Sequence, residues 1–222
     1  RIEKRFPAHR IVGEELGRSG GADGSPCWWI DPIDGTKAFI RGVPLYGVLL
    51  GLEIEARIVA GVAYFPALGE MVYAAEGLGC RLNGRRCRVS PAASIDRGIV
   101  SFTNAANFKA AGREEAWGRI IAAAWHSVGW SDAYGHALVA TGRLELMLDP
   151  IMSPHDCGPF PVILREAGGY FGDWSGRETI YGNEALSTSV RLLPEVLDLI
   201  RGEMAAADGG LTPTGRSHRQ TV

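Results

Sequence analysis

Asp31-Pro32-Ile33-Asp34-Gly35-Thr36 is the stretch of this chain best suited to chemistry. Its two carboxylates stand where the apolar run Cys27-Trp28-Trp29-Ile30 gives way to a Gly-Thr turn. Pro32 stiffens the connection, and Gly35 permits backbone geometry that a Cβ would obstruct. On a bend both acids can converge on one point. No arginine lies in the stretch, so a hard divalent cation such as Mg²⁺ is the natural partner for their oxygens. The N–H groups of Gly35, Thr36 and Lys37 open the next element, and such an end attracts phosphate oxygens. The same letters also describe an Asp-rich capping turn without function, so this motif needs company.

Two other acidic sites supply it. Glu14-Glu15 follows the strand candidate Arg10-Ile11-Val12, although adjacent glutamates at a strand end are commonly solvated. His155-Asp156 opens a predicted helix, where a lone Asp is commonly a cap. Together, the three sites end separate apolar elements, which is how metal clusters are assembled in α/β folds.

The elements that must position these acids are legible as short strands and helices. Cys27 to Ile30 reads as a strand buried on both faces. Leu45 to Val89 reads as an antiparallel meander, with Asn83-Gly84 as its strongest hairpin signal. Gly17 to Pro26 reads as a Gly/Ser-rich loop, and Gly98 to Phe102 as a further strand. Helical spacing marks 113–125, 132–141, 156–167 and 193–204. Leu144, Leu146 and Leu148 alternate with polar or longer residues, predicting a half-buried strand that ends at Asp149. The tail 205–222 is polar and aperiodic and reads as disordered. The expected division is 1–95, carrying the metal site and the meander, and 96–204, an α/β half. Arg1 to Phe6 reads as the end of a helix already under way.

Bulk properties exclude several classes. A net charge of -2 offers nothing to recruit nucleic acid or an anionic membrane. The longest apolar stretch, near Val43 to Leu52, is about half of what spans a bilayer, and no signal peptide is visible. Cys27, Cys80, Cys87 and Cys157 lack zinc-site spacing, so reduced thiols in the cytoplasm are expected.

Gly13-Glu14-Glu15, Trp29-Ile30-Asp31-Pro32-Ile33-Asp34-Gly35-Thr36 and Asp156…Pro161…Glu166-Ala167-Gly168-Gly169 resemble the inositol monophosphatase superfamily in order and spacing, over about Arg1 to Met204. That resemblance implies a layered αβαβα sandwich of the sugar-phosphatase type, usually dimeric. It also implies Mg²⁺-dependent hydrolysis of a small phosphorylated metabolite with two or three ions. By motif position, Glu14, Asp31, the Ile33 carbonyl, Asp34 and Asp156 would hold metal. Gly35 and Thr36 would meet phosphate, Thr36 would orient the attacking water, and Glu15 would be a neighbour of the ligands. His155 stands where the family carries Trp, a change expected to alter packing rather than metal binding. The family also places helices and an acidic water-activating residue upstream of Gly13. Without them the chain could be a weak enzyme or a binder of metal and sugar phosphate.

Lys37 to Gly47 and Trp130 to Gly142 are similar to the histidinol-phosphatase branch, as is Leu148-Asp149-Pro150. Inositol, fructose bisphosphate and nucleotide 3′-phosphate esters are the alternatives. Asp132 and Asp149 offer a physical reason for the preference. Carboxylates attract an ammonium and a basic imidazole, whereas a polyol requires neutral hydrogen bonding. Asp132 as a plain N-cap is the competing reading.

Overall fold

The computed structural model describes residues 1–15, 17–130 and 132–203, so the predicted tail and the end of the last predicted helix lie outside it. The strands are β1 (Arg10–Gly13), β2 (Gly17–Gly20), β3 (Cys27–Asp34), β4 (Gly47–Ile54), β5 (Arg57–Phe65), β6 (Glu70–Ala75), β7 (Arg81–Leu82), β8 (Arg85–Arg86), β9 (Ile99–Phe102), β10 (His126–Val128), β11 (Leu146–Asp149), β12 (Gly169–Gly172) and β13 (Ala185–Ser189). The helices are α1 (Ile2–Arg5), α2 (Thr36–Ile40), α3 (Ala105–Ala110), α4 (Glu114–Ala123), α5 (Asp132–Ala140), α6 (Pro154–Cys157), α7 (Phe160–Glu166) and α8 (Leu193–Arg201).

The first sheet runs β2-β1-β3-β4-β5-β6-β7-β8 and the second β10-β9-β11-β13-β12. Helices α5 and α7 lie between them, burying Phe65, Ala137, Phe160 and Phe171 in a shared core. Helices α3, α4 and α8 cover the far side of the second sheet around Phe108, Ile120 and Val196. The layered α/β expectation is met as sheet, helix, sheet, helix. On the outer face of the first sheet Val48, Ile54, Tyr64 and Met71 stay at least partly exposed.

The meander forms as expected, with Asn83 and Gly84 both at positive φ in the turn between β7 and β8. That hairpin brings the Cys80 and Cys87 sulfurs to 3.2 Å, and all four thiols are free. Three expectations need correction. Gly17 to Gly20 is an exposed edge strand rather than loop, because main-chain pairing with β1 needs no apolar side chains. Strand β11 is buried on both faces, since it lies between β9 and β13 with helices on either side. The predicted 156–167 helix is two, α6 and α7, because Pro159 has no N–H to donate to the His155 carbonyl.

This break is where the layers meet. Gly51 on β4 pairs with Gly61 on β5, forming a notch across two strands, and with Trp29 on its other side on β3. A Cβ on Gly51 would lie 2.2 Å from the Gly158 carbonyl oxygen, and one on Gly61 2.4 Å from that of Pro159. The junction of α6 and α7 therefore rests backbone to backbone on the sheet, two residues after Asp156. Gly51→Ala is expected to destabilise the protein by about 3 kcal/mol or more, because rigid main chain must move. Chemical denaturation checks this, and an unchanged midpoint would refute it.

Candidate metal and phosphate site

Side chains on a strand alternate between faces, so residues three apart should point in opposite directions. Asp31 and Asp34 escape this rule. On β4 their partners are Leu49 and Gly47, so β3 spends three steps where β4 spends two. The extra residue is a bulge, and it returns Asp34 to the face of Asp31. Both are buried, at 2% and 7% exposed, while Pro32 and Ile33 between them are not. Oxygens of Asp31, Asp34 and Asp156 lie within 4.8 Å of one another.

Each acid is held by a backbone donor. Asp31 accepts the Ile33 N–H at 2.9 Å, and Asp34 accepts the Ala133 N–H from the first turn of α5 at 3.0 Å. Asp156 accepts the Ser153 N–H at 3.0 Å, so it caps α6 with one oxygen and reaches the cluster as well. Burial pushes Asp31 up to about 7, with Glu14 and Asp156 adding repulsion against the Ile33 hydrogen bond. Burial, then Asp132 and Asp31, raise Asp34 well above the usual carboxylate range. Burial also raises Asp156. Each direction says the same thing: without a cation, these acids resist being charged together.

A cavity of about 530 Å³ opens onto the cluster and gathers Glu14, Asp31, Asp34, Asp132, Asp149 and Asp156. Ile33, Gly35 and Thr36 line it too, with Lys37 the one cationic side chain among its described lining residues. An anionic ester would be repelled from such a cavity unless hard cations sat on the carboxylates, and oxygen donors at this spacing fit them. The Thr36 hydroxyl donates to the Ile33 carbonyl at 3.1 Å. Gly35, at φ 75°, caps α2, and a Cβ there would lie 3.0 Å from the Leu45 carbonyl oxygen and 3.3 Å from Asp132 Oδ2.

Glu15 does not join this cavity. It turns toward a separate one of about 410 Å³ with Ile2, Ile11 and Ile30, because neighbouring residues leaving β1 diverge. His155 Nε2 stands 3.5 Å from Asp156 Oδ1. Arg165 pairs with Glu178 and donates to the Ile58 carbonyl, away from the cavity. Thr103, just after β9, lines the cavity and donates its hydroxyl to Asp149. No motif in the sequence marks Thr103, although the carboxyl end of a parallel strand is a common ligand position.

The sequence profile of the inositol monophosphatase family matches residues 1–204. A histidinol-phosphatase of Chlorobaculum parvum is 42% identical over 185 residues, covering 83% of this chain and 71% of that protein. A fructose-1,6-bisphosphatase/inositol-1-monophosphatase of Aquifex aeolicus is 34% identical over 196 residues, covering 83% and 72%. The solved inositol monophosphatase of Anabaena (Nostoc) superposes with a TM-score of 0.83 at 27% identity, covering 90% of this chain and 81% of that one.

Proposed function

This chain belongs to the inositol monophosphatase family and is a phosphatase, and from that premise we propose that it hydrolyses L-histidinol phosphate with Mg²⁺. Glu14, Asp31, the Ile33 carbonyl, Asp34 and Asp156 would hold the metal. When bound, the metal supplies Lewis-acid stabilisation of charge on the phosphoryl oxygens and a more acidic water. The chain's own groups do the rest. Because the Thr36 hydroxyl proton is committed to the Ile33 carbonyl, its oxygen is left as an acceptor that can orient a water in the cavity. Gly35 and Thr36 would present their main-chain N–H groups to the phosphate.

The observation that carries the substrate assignment is the pair Asp132 and Asp149 in the wall of the same cavity. Once cations have offset the phosphate, these two carboxylates remain to face the alcohol portion. They suit an ammonium and an imidazole better than a ring of hydroxyls. The 42% identity to a histidinol-phosphatase supports the same choice.

Phosphate release from a panel tests it: L-histidinol phosphate, inositol 1-phosphate, fructose 1,6-bisphosphate and a nucleoside 3′-phosphate, each with Mg²⁺. At least tenfold higher kcat/KM on histidinol phosphate is expected. Faster turnover of the inositol ester would overturn the assignment and leave the phosphatase standing.

A further inference from the structure

Helix α5 carries a second polar side chain below Asp132. His136 lies one turn further on, so both project from one face of the helix. Asp132 reaches the cavity, whereas His136 is fully buried. Its ring is held between Phe160 and Phe171, at centroid distances of 5.1 and 5.2 Å. Both nitrogens are engaged: Nδ1 is 2.6 Å from the Ser187 hydroxyl and Nε2 is 3.2 Å from Asp149 Oδ2. A carboxylate oxygen accepts, so the hydrogen-bond pattern assigns a proton to Nε2. The other Asp149 oxygen, Oδ1, accepts from Thr103.

Asp149, at 2% exposed, is thus gripped from two sides by donors on different elements. Neither grip is a lysine or an arginine. A buried polar chain running from Ser187 on β13 to the cavity wall is costly unless every member is satisfied. Here each one is, and the chain ends at a side chain that lines the cavity.

We propose that His136 is a positioning residue for substrate choice: clamped by Ser187, it fixes the Asp149 carboxylate toward the cavity to receive the cationic group of an amino-alcohol phosphate. This rests on the reading of Asp149 as a substrate contact. Swinging that carboxylate by about an ångström would weaken the ion pair with the substrate amine while leaving the phosphate end in place. The effect belongs in KM and in the choice between esters.

The test compares kcat/KM on L-histidinol phosphate with that on β-glycerophosphate, which has no cation, at saturating Mg²⁺. His136→Phe fills the aromatic slot without the hydrogen bonds and should lower the ratio tenfold or more, through KM. His136→Gln can place an amide N–H near the Nε2 position and should restore the ratio to within threefold. Ser187→Ala removes the clamp and should fall between, which keeps the test decisive if His136→Phe does not fold. Equal loss on both esters, no restoration of the ratio by His136→Gln, or a parent-like ratio in Ser187→Ala would overturn the positioning role. Asp149→Asn is the reference. If it leaves the ratio intact, the substrate-contact reading is at fault. If it collapses the ratio and His136→Phe does not, only the present inference fails.

Discussion

Replacing Asp34 by asparagine is expected to cut phosphate release by more than about a hundredfold, since even outer partners of metal ligands cost ~10–100-fold. The same variant is expected to melt at a higher temperature than the parent when both are metal-free at pH 8. The two effects have one cause. Asp34 is buried beside Asp132 and Asp31, all three of which repel as charges. Asparagine keeps an oxygen to accept the Ala133 N–H but carries no charge. It therefore spares the fold the repulsion while spoiling the cation's seat. Turnover assays and thermal melts check both halves. Parent-like turnover would refute the metal assignment, and a lower metal-free melting temperature would refute the repulsion argument.

Chelation should abolish turnover, and the metal-free protein should lose stability as pH rises from about 4 to about 7. The sign follows from Asp31. Its folded value, about 7, lies above the ordinary 3.8. Between those values the folded state keeps a proton that the unfolded chain has released, so a higher pH favours unfolding. Above pH 7 that loss is complete. Saturating Mg²⁺ replaces the protons, so it should raise the melting temperature strongly at pH 8 and little at pH 5. Binding near pH 6 should release protons in proportion. Melting temperatures insensitive to both pH and Mg²⁺ would remove the cluster as a cation site.

The first acidic motif was readable because its letters are contiguous, but its geometry was not. That Asp31 and Asp34 share a face depends on a bulge against β4, a partner that begins 13 residues after Asp34. Asp156 is legible through its helix, but prolines are so ordinary in a first turn that the letters do not reveal the break at Pro159. Strand β2 was missed because its pairing is all backbone. The alternation of Leu144, Leu146 and Leu148 suggested one wet face. Packing on both sides of β11 removes it, since neighbours outside the local pattern decide burial. His136 was invisible for the plainest reason: its partners Asp149 and Ser187 stand 13 and 51 residues away.

The notch at Gly51 and Gly61 also bears on the order in which this molecule is assembled. Asp31 and Asp34 can be set side by side as soon as β3 pairs with β4, a local event. Asp156 arrives only when the α6–α7 junction, at Gly158 and Pro159, settles on Gly51 and Gly61 far back along the chain. Long-range closures of that kind come late and are the first to open. On the proposed assignment, ion affinity would therefore be a property of the completed molecule rather than of its first half. A cation bound there would act as a latch on the last layer to dock, and its release would report the first loosening of the native state.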